Sequence, residues 1–356
     1  MDLTSLFARE LIGLDMGVSG IKVVEIKTGK IPRFVAYNRI PLPWGAISSD
    51  GEILNREKVV AALKKLFKPG HFSTKSVAVA AFGNSIIVKK ITVPRMSREE
   101  LQHQLFWEAE QYIPFDINDV NLDFAILGPS TGAQGKPQME ILLVAAKKQY
   151  IRDLSSVVEE AGLKPVLIDS QAFALGNAFV FSYGEKLNEG DPSHVIIDFG
   201  AGTTKVSVLE GSKTVFCREL RQAGITCTEF LSERLQISFL EAEMQKLTQP
   251  NSAQVKPILQ EYAHLLVDEI AKTIDYYLGQ VRDRSIQKIY ICGGGSFLLG
   301  LEAELADKMP SPIERFDCTR HLAGTGEKMN KKMLEEMNLL GAVSIGLAIR
   351  KQGDTL

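Results

Sequence analysis

Two segments of this chain place an aspartate, a glycine and a lysine at matching intervals. Residues 12–24 read IGLDMGVSGIKVV and residues 195–207 read VIIDFGAGTTKVS. Asp15 matches Asp198, Gly17 matches Gly200, and Lys22 matches Lys205. In each, an apolar run ends in the aspartate, a loop of small residues follows, and a second β-rich run returns. That pattern predicts a strand, a tight turn and a returning strand, with glycine permitting positive φ and close approach of the backbone to a ligand. A carboxylate at the end of a buried strand can hold Mg²⁺ through its waters while the ion bridges phosphate oxygens. In an isolated turn the same aspartate would only accept backbone N–H bonds. Two copies, each opening about half of the chain, favour phosphate chemistry and a duplicated α/β fold. Gly17, Val18 and Ser19, with Gly200, Ala201, Gly202 and Thr203, would then offer N–H groups and hydroxyls to the phosphates. Lys22 could meet a phosphate as a point charge; Lys205 could do so or could equally be solvated.

A third element follows in the second half. Residues 289–300 read IYICGGGSFLLG, an apolar strand running into Gly293, Gly294, Gly295 and Ser296 and then a helical stretch. Glycines between a strand and a helix place bare N–H groups at a helix start, which suits an anion or a nucleotide. GGGS alone would be a flexible turn; after two hairpins in this order it reads as a nucleotide contact. Glu243 and Lys246 are three apart on one helix face, by themselves a surface pair worth less than ~1 kcal/mol. Gln171 by itself reads as a helix-surface glutamine. No nucleophile–histidine–acid constellation occurs.

The two hairpins and the later glycine loop resemble the superfamily of actin, the heat-shock ATPases and the sugar kinases. Trp107 to Phe115, WEAEQYIPF, followed by Asp123-Phe124, is similar to the type IV pilus assembly family PilM, actin-like proteins related to the cell-division protein FtsA. The similarity runs from Ile12 to the terminal LLGAVSIGLAIR. It implies an actin-like, two-lobed duplicated α/β fold with an FtsA-like inserted subdomain, called 1C. It implies ATP and Mg²⁺ as cofactors, with Asp15 and Asp198 on the metal through water, and it favours Lys22 over Lys205 as the phosphate lysine. Ala242 to Lys246 matches an A-E-x-x-K segment that contacts ribose and base, and Gln171 falls near a glutamine that positions the attacking water. The implied partner is the N-terminal cytoplasmic peptide of the membrane protein PilN, extended or β-added in a groove between the first lobe and 1C. Trp107, Tyr112 and Phe115 would stand near one wall of that groove, or would be core. Contacts with the pilus motor ATPases and self-association are further expectations. Val18 and Gly20 replace serines common in the family, and Ala201 stands where actin carries an acid, so any turnover should be slow.

Composition agrees with this class. The chain has 356 residues, 45% hydrophobic and 24% charged, with a formal net charge of −2. That size suits about two domains, and the near-neutral balance argues against a nucleic-acid binder. Cys217, Cys227, Cys292 and Cys318 show no metal-ligand spacing and suggest a reducing compartment. Residues 1–10 lack the core of a signal peptide, and the apolar run from Leu339 to Ile349 is too short to span a bilayer. The expectation is a cytoplasmic protein, peripheral at the inner membrane through partners only. An apolar turn at Leu3, Leu6 and Phe7 offers too little area to anchor it.

The elements that must position these residues can be read coarsely. Strands are predicted over 11–27, 31–40, 76–81, 85–93 and 139–146, and helices over 56–67 and 148–161. Ser97 and Ser238 each open a helix with an S-x-x-E box. GPSTGAQGKPQ, residues 128–138, reads as a hairpin tip. The expected organisation is a lobe 1 core over 1–94, subdomain 1C over 95–165 and a return to lobe 1 over 166–190. Lobe 2 would follow as core over 191–225, a tip over 226–270 and core over 271–340, with a helix over 341–356 returning to lobe 1. Two other functions compete. A small-molecule kinase would need a carboxylate base, for which Asp169 is the candidate. An FtsA-like membrane filament would need an amphipathic C-terminal helix, which RKQGDTL does not supply.

Overall fold

The computed structural model describes residues 10–351 apart from 30, 69, 133–134, 189, 282–283 and 323–330. The turn at Leu3, Leu6 and Phe7, the centre of the tip at 128–138 and most of RKQGDTL lie outside the described residues.

The first lobe opens with an antiparallel meander, β1 (Ile12–Gly17), β2 (Gly20–Lys27) and β3 (Arg33–Pro41). Helix α1 (Arg56–Leu66) crosses to β4 (Ser76–Ala81), which pairs parallel to β1. The chain then leaves the sheet. β5 (Ile86–Pro94), α2 (Arg98–Glu110), β6 (Val120–Thr131) and β7 (Pro137–Lys147) build a separate antiparallel sheet in the order β5-β7-β6. It returns through α3 (Lys148–Glu160) to β8 (Lys164–Ser170), parallel to β4, and then α4 (Gln171–Tyr183).

The second lobe repeats the plan with β9 (Ser193–Phe199), β10 (Thr204–Glu210) and β11 (Lys213–Leu220) as the meander. Helices α5 (Gly224–Leu235), α6 (Phe239–Thr248) and α7 (Val255–Gln280) precede β12 (Ile286–Cys292), parallel to β9. Then come α8 (Leu301–Lys308), β13 (Ile313–Arg315), α9 (Lys331–Leu340) and α10 (Ala342–Ala348). The sheets β3-β2-β1-β4-β8 and β11-β10-β9-β12-β13 have the same order and the same strand directions.

Local chemistry explains the elements. β1 and β9 are buried along nearly their whole length, as strands covered on both faces must be. Asn55 caps α1 by accepting the Lys58 N–H at 3.1 Å. At α2 the capping box is complete: Glu100 N–H donates to Ser97 Oγ at 3.2 Å, and Ser97 N–H to Glu100 Oε2 at 2.7 Å. At α6, Ser238 Oγ accepts the Glu241 N–H at 3.2 Å.

Between the sheets lies a core shared by both lobes. Val24, Ile26 and Phe34 from the first meet Ile196, Leu209 and Tyr290 from the second, joined through Phe179 of α4 and Ile345 of α10. α10 reaches this place because two glycines let backbones touch. A Cβ on Gly346 would collide with the Ala174 carbonyl of α4, and one on Gly13 with the Ser344 carbonyl of α10.

The predicted insert over 95–165 differs from the structure at both ends. β5 belongs to the inserted sheet, because Ile86 to Pro94 pairs with β7 throughout. α3 does not, because Tyr150, Leu154, Val157 and Val158 fill the first-lobe core beside α1. The insert is tied to the second lobe as well. A β-bulge between Ile126 and Gly128 interrupts the β6–β7 register. Leu127, released from the ladder, packs on the second-lobe core, and its carbonyl accepts Lys213 Nζ at 2.9 Å.

Asp169, at the end of β8, is buried and bonded to Arg350 beyond α10. Burial pushes its carboxyl up to about 6, against the pull of Arg350 and a Ser170 N–H. The native carboxyl therefore holds its proton more tightly than the unfolded one. Its contribution to stability is full below about 3.8 and is lost as pH rises through about 6. Arg350→Ala is expected to cost about 3–5 kcal/mol at pH 7, because it strands a buried charge, and less at pH 5. Urea unfolding at the two pH values checks this; equal losses would contradict it.

Candidate functional site

The lobes enclose a cleft of about 470 Å³ at the ends of β1 and β9. Asp15 is the cross-strand partner of Lys22, and Asp198 of Lys205, so the repeat places the same pair twice. Lys22 Nζ lies 2.9 Å from Asp15 Oδ2. Burial disfavours the Lys22 charge, but contact with the Asp15 carboxylate more than offsets it, and its ammonium is held above the ordinary value. Lys205 Nζ lies 3.8 Å from Asp198 Oδ2 and donates to Thr203 Oγ1 at 3.1 Å. The solvated alternative for Lys205 fails: its side chain is 6% exposed, against 17% for Lys22, and its ammonium is 5.7 Å from the centre of the Phe82 ring across the cleft.

The helix-surface alternative for Gln171 fails too. As the first residue of α4, capped by Ser170, it is 4% exposed and lines the cleft. Its Nε2 donates to Asp15 Oδ1 at 2.7 Å, while its buried Oε1 has no hydrogen-bond partner among the described residues.

The two hairpin loops meet. Gly17 pairs with Gly20, and Gly200 N–H donates to the Thr203 carbonyl at 3.1 Å, the same closure in each lobe. Val18 is buried in the first-lobe core, against which Ala201 packs, and a Cβ on Gly202 would lie 2.6 Å from Val18 Cγ2. Where the family resemblance implies a serine hydroxyl, this chain has an apolar contact between lobes. Gly17, Val18, Ser19, Gly200, Ala201, Gly202 and Thr203 all line the cleft.

Glu243 and Lys246 line it from α6 and form an ion pair at 2.7 Å. Lys246 also donates to the Gly224 carbonyl at 2.8 Å and to Thr228 Oγ1, so the pair fastens α6 to α5. Gly293, Gly294 and Gly295 line the opposite side. Gly293 has φ +85 and ψ 156, a region only glycine occupies readily, and a Cβ there would strike Asp198 and the Phe199 carbonyl. The expected helix start is not at these glycines: a 3₁₀ turn, Gly294–Phe297, intervenes, and α8 begins at Leu301. Ser296 is outside the cleft lining; it is buried, and its Oγ accepts from Arg315 at 3.3 Å.

The three aromatics of the predicted partner wall separate. Tyr112 and Phe115 pack on the insert's core under Lys89 and Lys147, whereas Trp107 is 73% exposed, edge-on to Phe106. Cleft residues without a sequence motif include Arg39, Phe82 and Leu259. Phe82 follows β4 at the sheet end where the hairpins lie, and no local pattern marks it.

These groups fit a nucleotide with a divalent cation. Glycine loops, lysines and carboxylates converge at the hairpins, while Leu247, Pro250, Leu259 and Phe297 add apolar wall from the second lobe. The unpartnered Gln171 Oε1 calls for a donor such as a water. Among the described residues no three His, Cys, Asp or Glu side chains group as metal ligands, so a cation here would depend on phosphate oxygens and water. The cysteines do not contribute a thiolate; burial pushes Cys217 and Cys227 up to about 12 and Cys292 and Cys318 further.

Duplicated sheets around such a cleft define an actin-like protein. The ethanolamine utilization protein EutJ from Carboxydothermus hydrogenoformans shares the fold, with a TM-score of 0.53 and 13% identity over 96% of this chain and 89% of that one. A chain of the PilM-PilN type IV pilus biogenesis complex superposes with a TM-score of 0.84 and 28% identity, over 96% of this chain and 98% of that one. The family model for type IV pilus assembly protein PilM matches residues 13–352, and this chain belongs to that family.

The close packing at Gly293 makes one substitution informative. Gly293→Ala is expected to destabilise the fold by about 2–3 kcal/mol, through forbidden φ and backbone collision. Urea denaturation measures it; a neutral result would mean that the loop re-forms elsewhere.

Proposed function

We propose that this chain is an actin-like scaffold of the type IV pilus inner-membrane platform that binds ATP·Mg²⁺ and engages the N-terminal cytoplasmic peptide of PilN. The observation that carries the reading is the match along nearly the whole length to the chain of the PilM-PilN complex. No helix among the described residues is long and apolar enough to cross a membrane, so attachment to the inner membrane would come through PilN. Contacts with the pilus motor ATPases and self-association belong to the same proposal.

ATP with Mg²⁺ would supply a polyanion and a cation able to bridge the hairpins of both lobes. Asp15 and Asp198 would hold the metal through water, and Lys22 and Lys205 would balance phosphate charge. Gln171 is pinned by Asp15 through its amide nitrogen, which leaves its oxygen to orient a water. Ala201 supplies no acid to activate that water, which fits slow turnover. Occupancy would set the angle between the lobes, and the Leu127–Lys213 contact would pass that angle to the insert by population shift.

The alternatives are not favoured. In a kinase, Asp169 would have to face a substrate hydroxyl, but its carboxylate is committed to Arg350 and does not line the cleft. A membrane filament finds no support in the family match.

Purified chain, denatured and analysed by chromatography, is expected to release intact ATP, and Asp15→Ala and Asp198→Ala to release none. No nucleotide and no uptake on titration would remove the clamp. A synthetic PilN N-terminal peptide is expected to bind in ATP·Mg²⁺, as read by fluorescence anisotropy; no binding at excess would end the scaffold reading. Leu127→Ala is expected to leave both ligands bound while reducing the nucleotide dependence of peptide affinity several-fold.

A further inference from the structure

The end of the first-lobe sheet opposite the cleft carries an unbalanced positive face. β1, β4 and β8 run parallel, so their first residues lie together, beside the β2–β3 hairpin. Lys27 and Arg33 are cross-strand partners at that hairpin. The 67–75 loop is fastened next to them, with Ser73 N–H donating to Glu25 Oε2 at 3.0 Å and its hydroxyl to Oε1. That loop carries Lys68, His71 and Lys75, and the Lys164 N–H donates to the Lys75 carbonyl at 2.8 Å. Lys27, Arg33, Lys68, Lys75 and Lys164 are exposed, and none of them enters an ion pair among the described residues. The acids at this end do little to balance them. Glu25 is buried under Ser73, Glu160 is held by Arg56, and Glu10 and Glu159 remain. Amid these cations the hairpin presents Ile31, 65% exposed.

We propose that this face docks on an anionic phospholipid surface, with the lysines and Arg33 on headgroup phosphates and Ile31 at the acyl boundary. A cation cluster around a protruding apolar side chain suits that interface, because ammonium groups reach headgroups while the apolar tip enters. A nucleic acid is less well served. The nearby aromatics, Phe67 and Phe72, pack against each other with tilted rings 4.9 Å between centres and are only part-exposed against the lobe core, so they are not presented to bases. The contact is independent of PilN and of the cleft, and it adds a direct membrane contact to the tethering assigned above to the partner.

Co-sedimentation of the full chain, without PilN or nucleotide, tests it on vesicles of phosphatidylcholine with and without about one-third phosphatidylglycerol. The anionic vesicles are expected to bind about tenfold more protein in low salt, and high salt to remove most of the difference. Lys27→Glu/Lys68→Glu/Lys75→Glu is expected to reduce binding to the neutral-vesicle level, while Lys256→Glu/Lys331→Glu/Lys332→Glu, matched in charge but placed elsewhere, retains it. Ile31→Ser is expected to weaken binding several-fold without changing its salt dependence. Should the triple reversal unfold, Lys68→Gln/Lys75→Gln reads the same loss. Equal binding to both vesicles, an equal loss in the charge-matched control, or binding to an RNA oligonucleotide without binding to vesicles each overturns the proposal.

Discussion

The rest of the structure depends on the contact of α10 with β1 and α4, where backbone meets backbone at Gly13 and Gly346. Any side chain at either glycine would push the helix outward by more than a packed core can absorb. Because the helix fits, the last described segment of the chain is locked between β1 and α4. β1 ends in Asp15 and α4 begins with Gln171, so the same contact fixes the relative position of two groups that share a hydrogen bond in the cleft. The shared core around Phe179 extends the lock to the second sheet, so the lobes are joined by an apolar hinge.

Duplication gives the cleft its symmetry, and the chain around it breaks that symmetry. Both hairpins place aspartate opposite lysine in the same register, since the seven-residue separation is spanned by loops that close at equivalent residues, Gly17 with Gly20 and Gly200 with Thr203. The surroundings then diverge. Asp15 receives Gln171 from α4, whereas Lys205 leans on Thr203 from its own loop. Val18 seals the two loops against each other with apolar surface. This places the closing force at the loops in hydrophobic contact and leaves Asp15, Lys22, Asp198 and Lys205 lining the cleft.

The insert belongs to both lobes in different ways. Two covalent connections hold it to the first, while Leu127 and Lys213 hold it to the second. A bulge makes this possible: the extra residue turns its side chain out of the ladder and leaves its carbonyl free for a lysine. A rearrangement of the lobes must therefore move the insert or break that contact.

Several features were legible in the sequence by itself. The repeated Asp, Gly and Lys spacing determined the hairpins, because the strand period admits one register. Capping residues determined where α2 and α6 begin. WEAEQYIPF together with the hairpin order determined the family. Other features were decided only by tertiary structure. Ser296 and Gly293 are near neighbours in one motif, yet one faces Arg315 and the other lines the cleft, because Gly293 caps a 3₁₀ turn and Ser296 is carried round within it. α3 joined the first-lobe core because its apolar face fits α1, which no local signal reports. Phe82, Leu127 and the Asp169–Arg350 pair owe their roles to partners 86 to 181 residues away in the chain, brought near by the fold. Periodicity and turn chemistry act between near neighbours and are written in the sequence, whereas contacts between lobes exist only once both sheets have closed on their shared core.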